Sequence, residues 1–401
     1  MSGPIEATSG RPRVSVVMAN YQAGDRIVPA LRSVLGQTMA DLEIIVSDDG
    51  SRDHSLDLVR RLMADDPRIL LVEGDNGGPA ACRNRALERV RGDWVAIVDA
   101  DDIVHPERLE RLLAAADQFG ADIIADDLLL FFEDGTAPRL MLEDAVAGSF
   151  AVTAERWVLA GVDGTPALGY LKPLIRADRL GTTRYDESLR IGEDYDLVLR
   201  LLLAGAVMRV VPEPFYLYRR HSASISHRLA PADMSAMLEQ QRALTARAGV
   251  LAPGLARAFA RRAAQLEKGL AYEHLVASIN ARRLFDAMGG LLQHPGQIAR
   301  LWTSLNEKWA RRRPPAAGGL SPLLMLGGAR KMDGSEAVPP YLSTEDSDWT
   351  SAKFRHVWRD LAARRGVGAV RCLPLDRAGL YAAGFIPEAE VAPLVPPEGT
   401  V

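Results

Sequence analysis

The feature that most constrains the fold is the alternation of short apolar runs with amphipathic segments over the first 130 residues. Five runs have the length of β-strands and are largely apolar, at 14–19, 43–47, 69–72, 94–98 and 122–125. Between them, apolar residues recur at helical spacing, as at 109, 112, 113 and 116. Strands that are apolar on both faces are typical of a parallel sheet covered by helices on both sides. The pattern therefore predicts a doubly wound α/β domain with a mostly parallel central sheet.

The pattern weakens after about residue 150, where we predict a helix over 194–204 and short strands over 207–211 and 215–218. From Pro231 to about Arg313, Ala, Arg, Leu and Gln at helical spacing predict a mainly helical region. A Pro- and Gly-rich linker begins at Pro314, and short helices with Pro-rich turns are expected after it. We thus predict a disordered N-terminus over 1–12, the α/β domain over 13–228, the helical region over 229–313, and a linker with a C-terminal segment of unknown role over 314–401.

Composition narrows the class of protein. The formal net charge of −4 gives no support to a nucleic-acid partner. The first 13 residues have no apolar signal core, and no run of 18 apolar residues occurs. Cys82 and Cys372 are the only cysteines, so neither a disulfide framework nor a cysteine zinc site is expected. These features together predict a cytoplasmic protein.

Aspartates follow two of the predicted strands. Asp48 and Asp49 come directly after the second strand, and Asp99, Asp101 and Asp102 follow the fourth. In open α/β sheets, ligands bind in the crevice at the carboxyl ends of the strands. A single Asp after a strand is more often a turn or cap residue, but two clusters at one edge favour a divalent cation. Such oxygen ligands suit Mg²⁺ or Mn²⁺, which usually also bind substrate phosphates.

Three further features each have two interpretations. The acids Glu193 and Asp194 begin a predicted helix, where negative charge is favoured by the helix dipole, or they form a catalytic carboxylate pair. The segment Asn76–Gly78 precedes a helix and forms either a tight turn or a set of N–H groups that bind an anion. His221, in a polar loop, is either solvated or part of a loop that closes on phosphate.

A resemblance to a known family is carried by segments that occur in order along residues 12–227. They are VSVVMANY (14–21), SVLGQT (33–38), EIIVSDDGSRD (43–53), NGGPAACRNRA (76–86), WVAIVDADD (94–102), IGED (191–194) and YRRHSASIS (218–226). Together they resemble family 2 glycosyltransferases with the GT-A fold. Their overall appearance is similar to bacterial enzymes that extend exopolysaccharide repeat units in succinoglycan-type pathways.

The resemblance implies a role for each matching residue. Ala19 and Tyr21 would lie beside the nucleotide base, Asp49 would hydrogen-bond the uracil ring, and Arg83 would approach the nucleotide or its phosphates. Asp99 and Asp101 would form the metal-binding DxD motif, with Asp101 as the direct ligand. Asp194 would be the catalytic base, assisted by Glu193. His221 would contact the metal or the diphosphate.

The chemistry of these residues agrees with that assignment. A metal held by Asp101 can stabilise the charge of a departing nucleoside diphosphate, and one carboxylate opposite it can take the proton of an acceptor hydroxyl. One base and a metal-bound leaving group imply direct displacement with inversion. We therefore expect an enzyme that depends on Mn²⁺ or Mg²⁺ and transfers a sugar from a UDP-sugar, with UDP-glucose as the expected donor. The expected acceptor is a glycan or lipid-linked oligosaccharide of an exopolysaccharide pathway.

Two other functions are compatible with parts of this pattern. One is a non-catalytic sugar-nucleotide sensor or scaffold on the same fold. Such a protein would not need to keep Asp99, Asp101 and Asp194, all of which are present here. A nucleotidyltransferase would need a Gly-rich, basic phosphate loop after the first strand, which the sequence lacks.

The segment 281–313 is basic, with seven basic residues against two acids, and carries Trp302 and Trp309. A basic helix with tryptophans can lie on an anionic membrane surface, here the cytoplasmic face of the inner membrane. The other interpretation is an ordinary helix that packs its tryptophans on the catalytic domain.

Overall fold

The computed structural model describes residues 10–132, 139–142, 148–220, 230–247 and 249–283, together with residues 288 and 291 and four short strands between 323 and 393. His221 and most of the basic segment 281–313, including both tryptophans, lie outside these residues. The predictions made for them are not addressed by the structure.

A ten-stranded mixed sheet forms the centre of the N-terminal domain in the described ranges. Its main path runs β3-β2-β1-β4-β9-β6-β10-β5, with β7 on β6 and β8 on β10. The strands are β1 (Val14–Asn20), β2 (Leu42–Asp49), β3 (Ile69–Gly74), β4 (Trp94–Ile97), β5 (Ile103–Val104), β6 (Ile123–Phe132), β7 (Arg139–Leu140), β8 (Phe150–Val152), β9 (Leu174–Arg176) and β10 (Met208–Arg220).

The predicted parallel sheet is formed by β3, β2, β1 and β4, whose pairings are all parallel. Strand β9 then pairs antiparallel with both β4 and β6, so the complete sheet is mixed. The predicted strands 207–211 and 215–218 are one strand, β10, with an irregular register between Val211 and Tyr216. Pro212 and Pro214 lie in that stretch, and proline has no N–H to donate to a ladder.

Helices pack on the sheet through the apolar residues that recur at helical spacing. In α4, for example, Leu109, Leu112, Leu113 and Ala116 are all buried. The helices of the sheet domain are α1 (Ile27–Leu35), α2 (Ser55–Asp65), α3 (Gly78–Leu87), α4 (Arg108–Phe119), α5 (Ala154–Val158), α6 (Ala177–Leu180) and α7 (Glu193–Leu203).

Two further helices, α8 (Pro231–Arg247) and α9 (Pro253–Asn280), confirm the predicted helical character after residue 229. They pack on each other, and Gln241 of α8 donates to the carbonyl of Phe259 of α9 at 2.9 Å. Helix α9 also packs against α5 of the sheet domain. None of the helices in the described ranges has the length and hydrophobicity needed to cross a membrane.

Four short strands form a parallel sheet in the C-terminal segment, where the sequence predicts short helices and turns. They are β11 (Leu323–Gly327), β12 (Tyr341–Leu342), β13 (Ala369–Leu373) and β14 (Glu390–Pro393), in the order β12-β11-β13-β14. Short apolar runs such as these do not distinguish a strand from a helix by periodicity, because each is too brief to show its period.

A fully buried ion pair joins α4 to β6. Arg108 donates to the two carboxylate oxygens of Asp126 at 2.9 Å, and both side chains are inaccessible to solvent. Arg108 also donates to the backbone carbonyl of Lys172 and lies over the ring of Tyr216, with its central carbon 4.9 Å from the ring centroid. The pair therefore fixes two segments that, as described below, reach the functional site.

Replacing Arg108 with Met is expected to lower the free energy of unfolding by about 3–5 kcal/mol, because the Asp126 carboxylate is left buried without its partner. The double variant Arg108→Met/Asp126→Leu should recover most of that loss, since no uncompensated charge remains. Urea denaturation followed by circular dichroism measures both. The control is Arg111→Met on the same helix, whose ion pair with Glu107 is partly exposed and should contribute less than about 1 kcal/mol. A loss of under 1 kcal/mol for Arg108→Met would contradict this account.

Candidate functional site

A cavity of about 830 Å³ opens at the carboxyl ends of β1, β2 and β4. The start of α3, the segment 160–172, the end of β10, the start of α7 and the helices α8 and α9 also contribute to its wall. All the predicted site residues within the described ranges line this one cavity: Ala19, Tyr21, Asp49, Arg83, Asp99, Asp101, Glu193 and Asp194. Residues up to 175 positions apart in sequence are thus brought to one place by the parallel strands.

Asp49 holds the turn that precedes α3. Its carboxylate accepts hydrogen bonds from the backbone N–H of Gly77 at 3.0 Å and of Gly78 at 2.8 Å, and from Arg85 at 2.8 Å. Of the two interpretations of Asn76–Gly78, the structure therefore favours the tight turn, because an internal carboxylate uses the exposed donors. Asp49 also lines the cavity, where its predicted contact with a base remains a prediction.

Two cations and three carboxylates form a charge cluster in the cavity. Arg83 donates to Glu193 at 2.7 Å and to Asp99 at 2.9 Å, and lies 3.6 Å from Asp194. Lys172 lies 2.8 Å from Asp99 and 3.1 Å from Asp194. Arg83 and Lys172 are each only 5% exposed, so this is a buried network. It links the end of β4 directly to the start of α7.

The cations set the charge state of this cluster. Burial by itself raises the pKa of Asp99, but the charges of Lys172 and Arg83 lower it well below its usual range. Burial likewise lowers the pKa of Arg83 and Lys172, yet the surrounding carboxylates raise both well above their usual values. Burial and the nearby charge of Asp194 raise the pKa of Glu193. The two cations therefore stay charged, and Asp99 stays ionised, at neutral pH.

Glu193 and Asp194 are positioned by the start of α7. Gly192 precedes the helix with a φ of 93°, in the left-handed region that favours glycine. A methyl group on Gly192 would also lie 3.2 Å from the terminal carbon of Met237 in α8. The backbone thus turns sharply before the two acids and directs the first turn of the helix into the cavity.

The DxD segment is supported by an aromatic hydroxyl beneath it. Tyr216 of β10 accepts a hydrogen bond from the backbone N–H of Asp99 at 3.1 Å and donates to the carboxylate of Asp102 at 2.8 Å. The backbone N–H of Arg219 donates to Asp102 at 2.7 Å, and its side chain donates to the carbonyl of Asp101 at 2.9 Å. Burial and the charges of Asp101 and Asp99 raise the pKa of Asp102 well above its usual range.

The carboxylates of this segment differ in what they can offer a metal ion. Both oxygens of Asp99 lie against cations, and Asp102 is buried against Tyr216 and Arg219. Asp101 is partly exposed and lines the cavity. Within the described part of the chain, no three His, Cys, Asp or Glu side chains are grouped as a metal site. Asp101 is therefore the carboxylate of this segment that a bound cation and its phosphates could reach, whereas both oxygens of Asp99 already contact cations.

Lys172 was missed by the motif analysis, although the sequence holds a signal for it. It is the only lysine among the first 267 residues, a stretch that otherwise uses arginine for its positive charge. An ammonium group is a compact point charge on a flexible stem, and its pKa shifts readily on burial, so a single lysine among arginines is a candidate for a specific role. The sequence indicated Tyr216 only as part of the predicted strand 215–218. Its hydrogen bonds could not be predicted, because they depend on the pairing of β10 within the sheet.

Comparisons with known proteins agree with this geometry. The family described as Glycosyl transferase family 2 matches residues 15–174. Succinoglycan biosynthesis protein ExoO of Rhizobium meliloti is 33% identical over 296 residues, which cover 72% of this chain and 84% of that protein. Succinoglycan biosynthesis protein ExoU of the same organism is 32% identical over 331 residues, 78% of this chain and 92% of that protein. The crystal structure of S. aureus TarS 1–349 in complex with UDP-GlcNAc shares the fold, with a TM-score of 0.51 at 18% identity over 71% of this chain and 92% of that chain.

Proposed function

Because the chain belongs to glycosyl transferase family 2 and is a glycosyltransferase of GT-A fold, we propose that it transfers a sugar from a UDP-sugar to an acceptor hydroxyl with inversion of configuration. One observation carries the proposal. The predicted base, Asp194, and the DxD residue Asp99 share the cation Lys172, at 3.1 and 2.8 Å, within a single cavity. This proximity supports the proposal that acceptor activation and leaving-group binding occur side by side.

The nucleotide is proposed to lie at the ends of β1 and β2. Ala19 near the end of β1 and the half-exposed Tyr21 directly after it line the cavity, and Asp49 ends the neighbouring strand β2. An aromatic ring and a carboxylate are suited to stack on and hydrogen-bond a uracil ring. The diphosphate then extends towards the end of β4, where Asp101 lies.

A divalent cation, Mn²⁺ or Mg²⁺, is proposed to bind Asp101 and to neutralise the charge that develops on the departing UDP. The protein residues organise this region. Tyr216 and Arg219 hold the backbone of the DxD segment, and Lys172 and Arg83 keep Asp99 ionised and fixed. His221 is proposed to reach the diphosphate from the segment that follows β10.

Asp194 is proposed to accept the proton of the acceptor hydroxyl as that oxygen attacks the anomeric carbon. The carboxylate lies in the first turn of α7, 3.1 Å from the ammonium group of Lys172. Glu193 accepts from Arg83 at 2.7 Å and so orients the arginine that also contacts Asp99 and Asp194. No second catalytic carboxylate is needed, since UDP leaves as an anion and, unlike the leaving group of a glycosidase, requires no proton from an acid.

The acceptor is proposed to be a growing exopolysaccharide glycan, carried as a lipid-linked repeat unit, and the sugar to be glucose. The relatives with 33% and 32% identity are named for succinoglycan biosynthesis, which supports this class of acceptor. We place the reaction at the cytoplasmic face of the inner membrane, with the basic segment 281–313 as the contact with anionic lipid.

Isothermal titration of UDP into the protein tests the donor site. We expect Mn²⁺ to tighten UDP binding at least about tenfold in the wild type, and Asp101→Ala to abolish most of that gain while leaving metal-free binding unchanged. GDP and dTDP should bind more weakly than UDP. Asp178→Ala, which removes an exposed carboxylate outside the cavity, is the matched control. If Mn²⁺ increased the affinity for UDP equally in the wild type and in Asp101→Ala, the proposed role of Asp101 in metal binding would be overturned.

A further inference from the structure

The cavity has a second wall that the donor site does not use. Four residues of α9 line it, Arg262, Gln265, Leu266 and Gly269. They recur at intervals of three and four and so form one face of the helix. Met234 and Met237 of α8 complete this wall. It lies beyond residues 15–174, which carry the match to the family.

Arg262 is a buried cation without a carboxylate. Its side chain belongs to a residue only 9% exposed, and its central carbon lies 3.8 Å from the ring centroid of Tyr195. Tyr195 in turn stacks on Trp157, with ring centroids 5.8 Å apart and planes 14° apart. In the described ranges, no carboxylate or carbonyl accepts a hydrogen bond from Arg262. Of the other buried arginines of the site region, Arg83 and Arg108 each contact a carboxylate, and Arg219 donates to the backbone carbonyl of Asp101.

The charge of Arg262 has little compensation within the protein. Burial lowers the pKa of Arg262, and only the neighbouring Tyr195 opposes that effect. Its guanidinium nitrogens stay open to the cavity, where an anion would pair with a cation that is already largely buried. Its donors face a cavity large enough for a sugar, which is where a compensating anion would bind.

The position of Arg262 identifies which substrate carries that anion. Its stacking partner, Tyr195, directly follows the predicted base Asp194, whereas the donor diphosphate is proposed to bind at the end of β4. Met234, Met237 and Leu266 around it offer apolar contacts of the kind that sugar rings accept on their C–H faces. We propose that Arg262 binds an anionic group of the acceptor, a carboxylate or a phosphate, close to the hydroxyl that is glycosylated. This inference rests on the proposed function, because it assumes that Asp194 faces an acceptor.

The test measures the binding of simple sugars to the protein saturated with UDP and Mn²⁺, so that the donor site is filled. D-Glucose, D-glucuronate and D-glucose 6-phosphate are titrated separately and followed by protein NMR. We expect at least one charged sugar to bind about tenfold more tightly than glucose, because arginine forms charge-assisted hydrogen bonds with both kinds of anion. Preference for glucuronate would identify a carboxylate on the acceptor, and preference for glucose 6-phosphate a phosphate.

Arg262→Gln should bind the charged sugar and glucose with about equal affinity, while Arg262→Lys should retain part of the preference for the charged sugar. Arg257→Gln, at an exposed arginine of the same helix, should leave it unchanged. UDP binding by each variant shows that the protein is folded. If UDP binds the wild type but neither charged sugar is preferred, or if the preference survives in Arg262→Gln, this inference is overturned and the donor site stands. If UDP does not bind the wild type at all, the proposed function fails and the inference fails with it.

Discussion

Asp194→Asn is expected to lower the rate constant for sugar transfer by about 10³-fold, equivalent to about 4 kcal/mol of transition-state stabilisation. Asn has nearly the size of Asp and keeps one oxygen that can face Lys172, which lies 3.1 Å from the native carboxylate. It cannot take up a proton from the attacking hydroxyl. UDP binding should change less than about threefold, because the substitution acts on the acceptor side.

The matched control is Glu193→Gln, which changes the adjacent carboxylate in the same way. We expect a loss of only about tenfold, since Glu193 orients Arg83 and transfers no proton. UDP release with water or a sugar as the acceptor measures both variants. Retention of most activity by Asp194→Asn would remove Asp194 as the base. If the wild type bound UDP but had no activity either, a sensor or scaffold on this fold would become the better interpretation.

Lys172→Met is expected to lower the free energy of unfolding by about 3 kcal/mol at neutral pH. The substitution leaves Asp99, Glu193 and Asp194 with Arg83 as their one remaining cation from this cluster. Breaking a buried ion pair leaves charge without compensation, and these carboxylates repel one another. Transfer activity should fall as well, since Lys172 fixes both Asp99 and Asp194.

The loss in Lys172→Met should depend on pH. In the folded wild type the pKa of Asp99 lies below its value in the unfolded chain, which is about 3.9. The stability that ionised Asp99 contributes is therefore fully present above that unfolded pKa and is lost as the pH falls through the folded pKa. Without Lys172, Arg83 is the one cation that still opposes the effect of burial, so the pKa of Asp99 rises and the folded variant takes up a proton at a higher pH. The difference in unfolding free energy should therefore narrow as the pH falls from 7 towards ~4. Urea denaturation at several pH values measures it, with Lys268→Met, at an exposed lysine of α9, as the control. A difference that does not change with pH would contradict the proposed ion pair with Asp99.

The structural features that were predicted well from the sequence are those that depend on a single strand and the residues directly after it. Apolar runs located β1, β2, β3 and β4 closely, and the rule that ligands bind at carboxyl ends placed Asp49, Asp99 and Asp101 in one cavity. Asp194 was found from the start of a helix and from the resemblance. Each of these predictions uses short-range information, which a single sequence contains.

The residues that the sequence did not predict depend on contacts between distant segments. Lys172 reaches the site because Arg108, 64 positions earlier, holds its backbone carbonyl, and β9 then inserts between β4 and β6. No local pattern specifies that insertion. The two backbone N–H groups that the turn before α3 donates to Asp49 were likewise not predicted, because they depend on how that turn packs against the end of β2. Arg262 lies on a helix with no motif, and only the packing of α9 against α5 and the contact of Arg262 with the Tyr195 ring show that it reaches the cavity.

The most direct test of the central claim is UDP release by the purified full-length protein from a panel of UDP-, GDP- and dTDP-sugars, with and without Mn²⁺. The account predicts metal-dependent turnover of one UDP-sugar, reduced at least about 10²-fold in Asp101→Ala and about 10³-fold in Asp194→Asn. Turnover that is independent of metal and of both aspartates, or of a GDP-sugar alone, would contradict it.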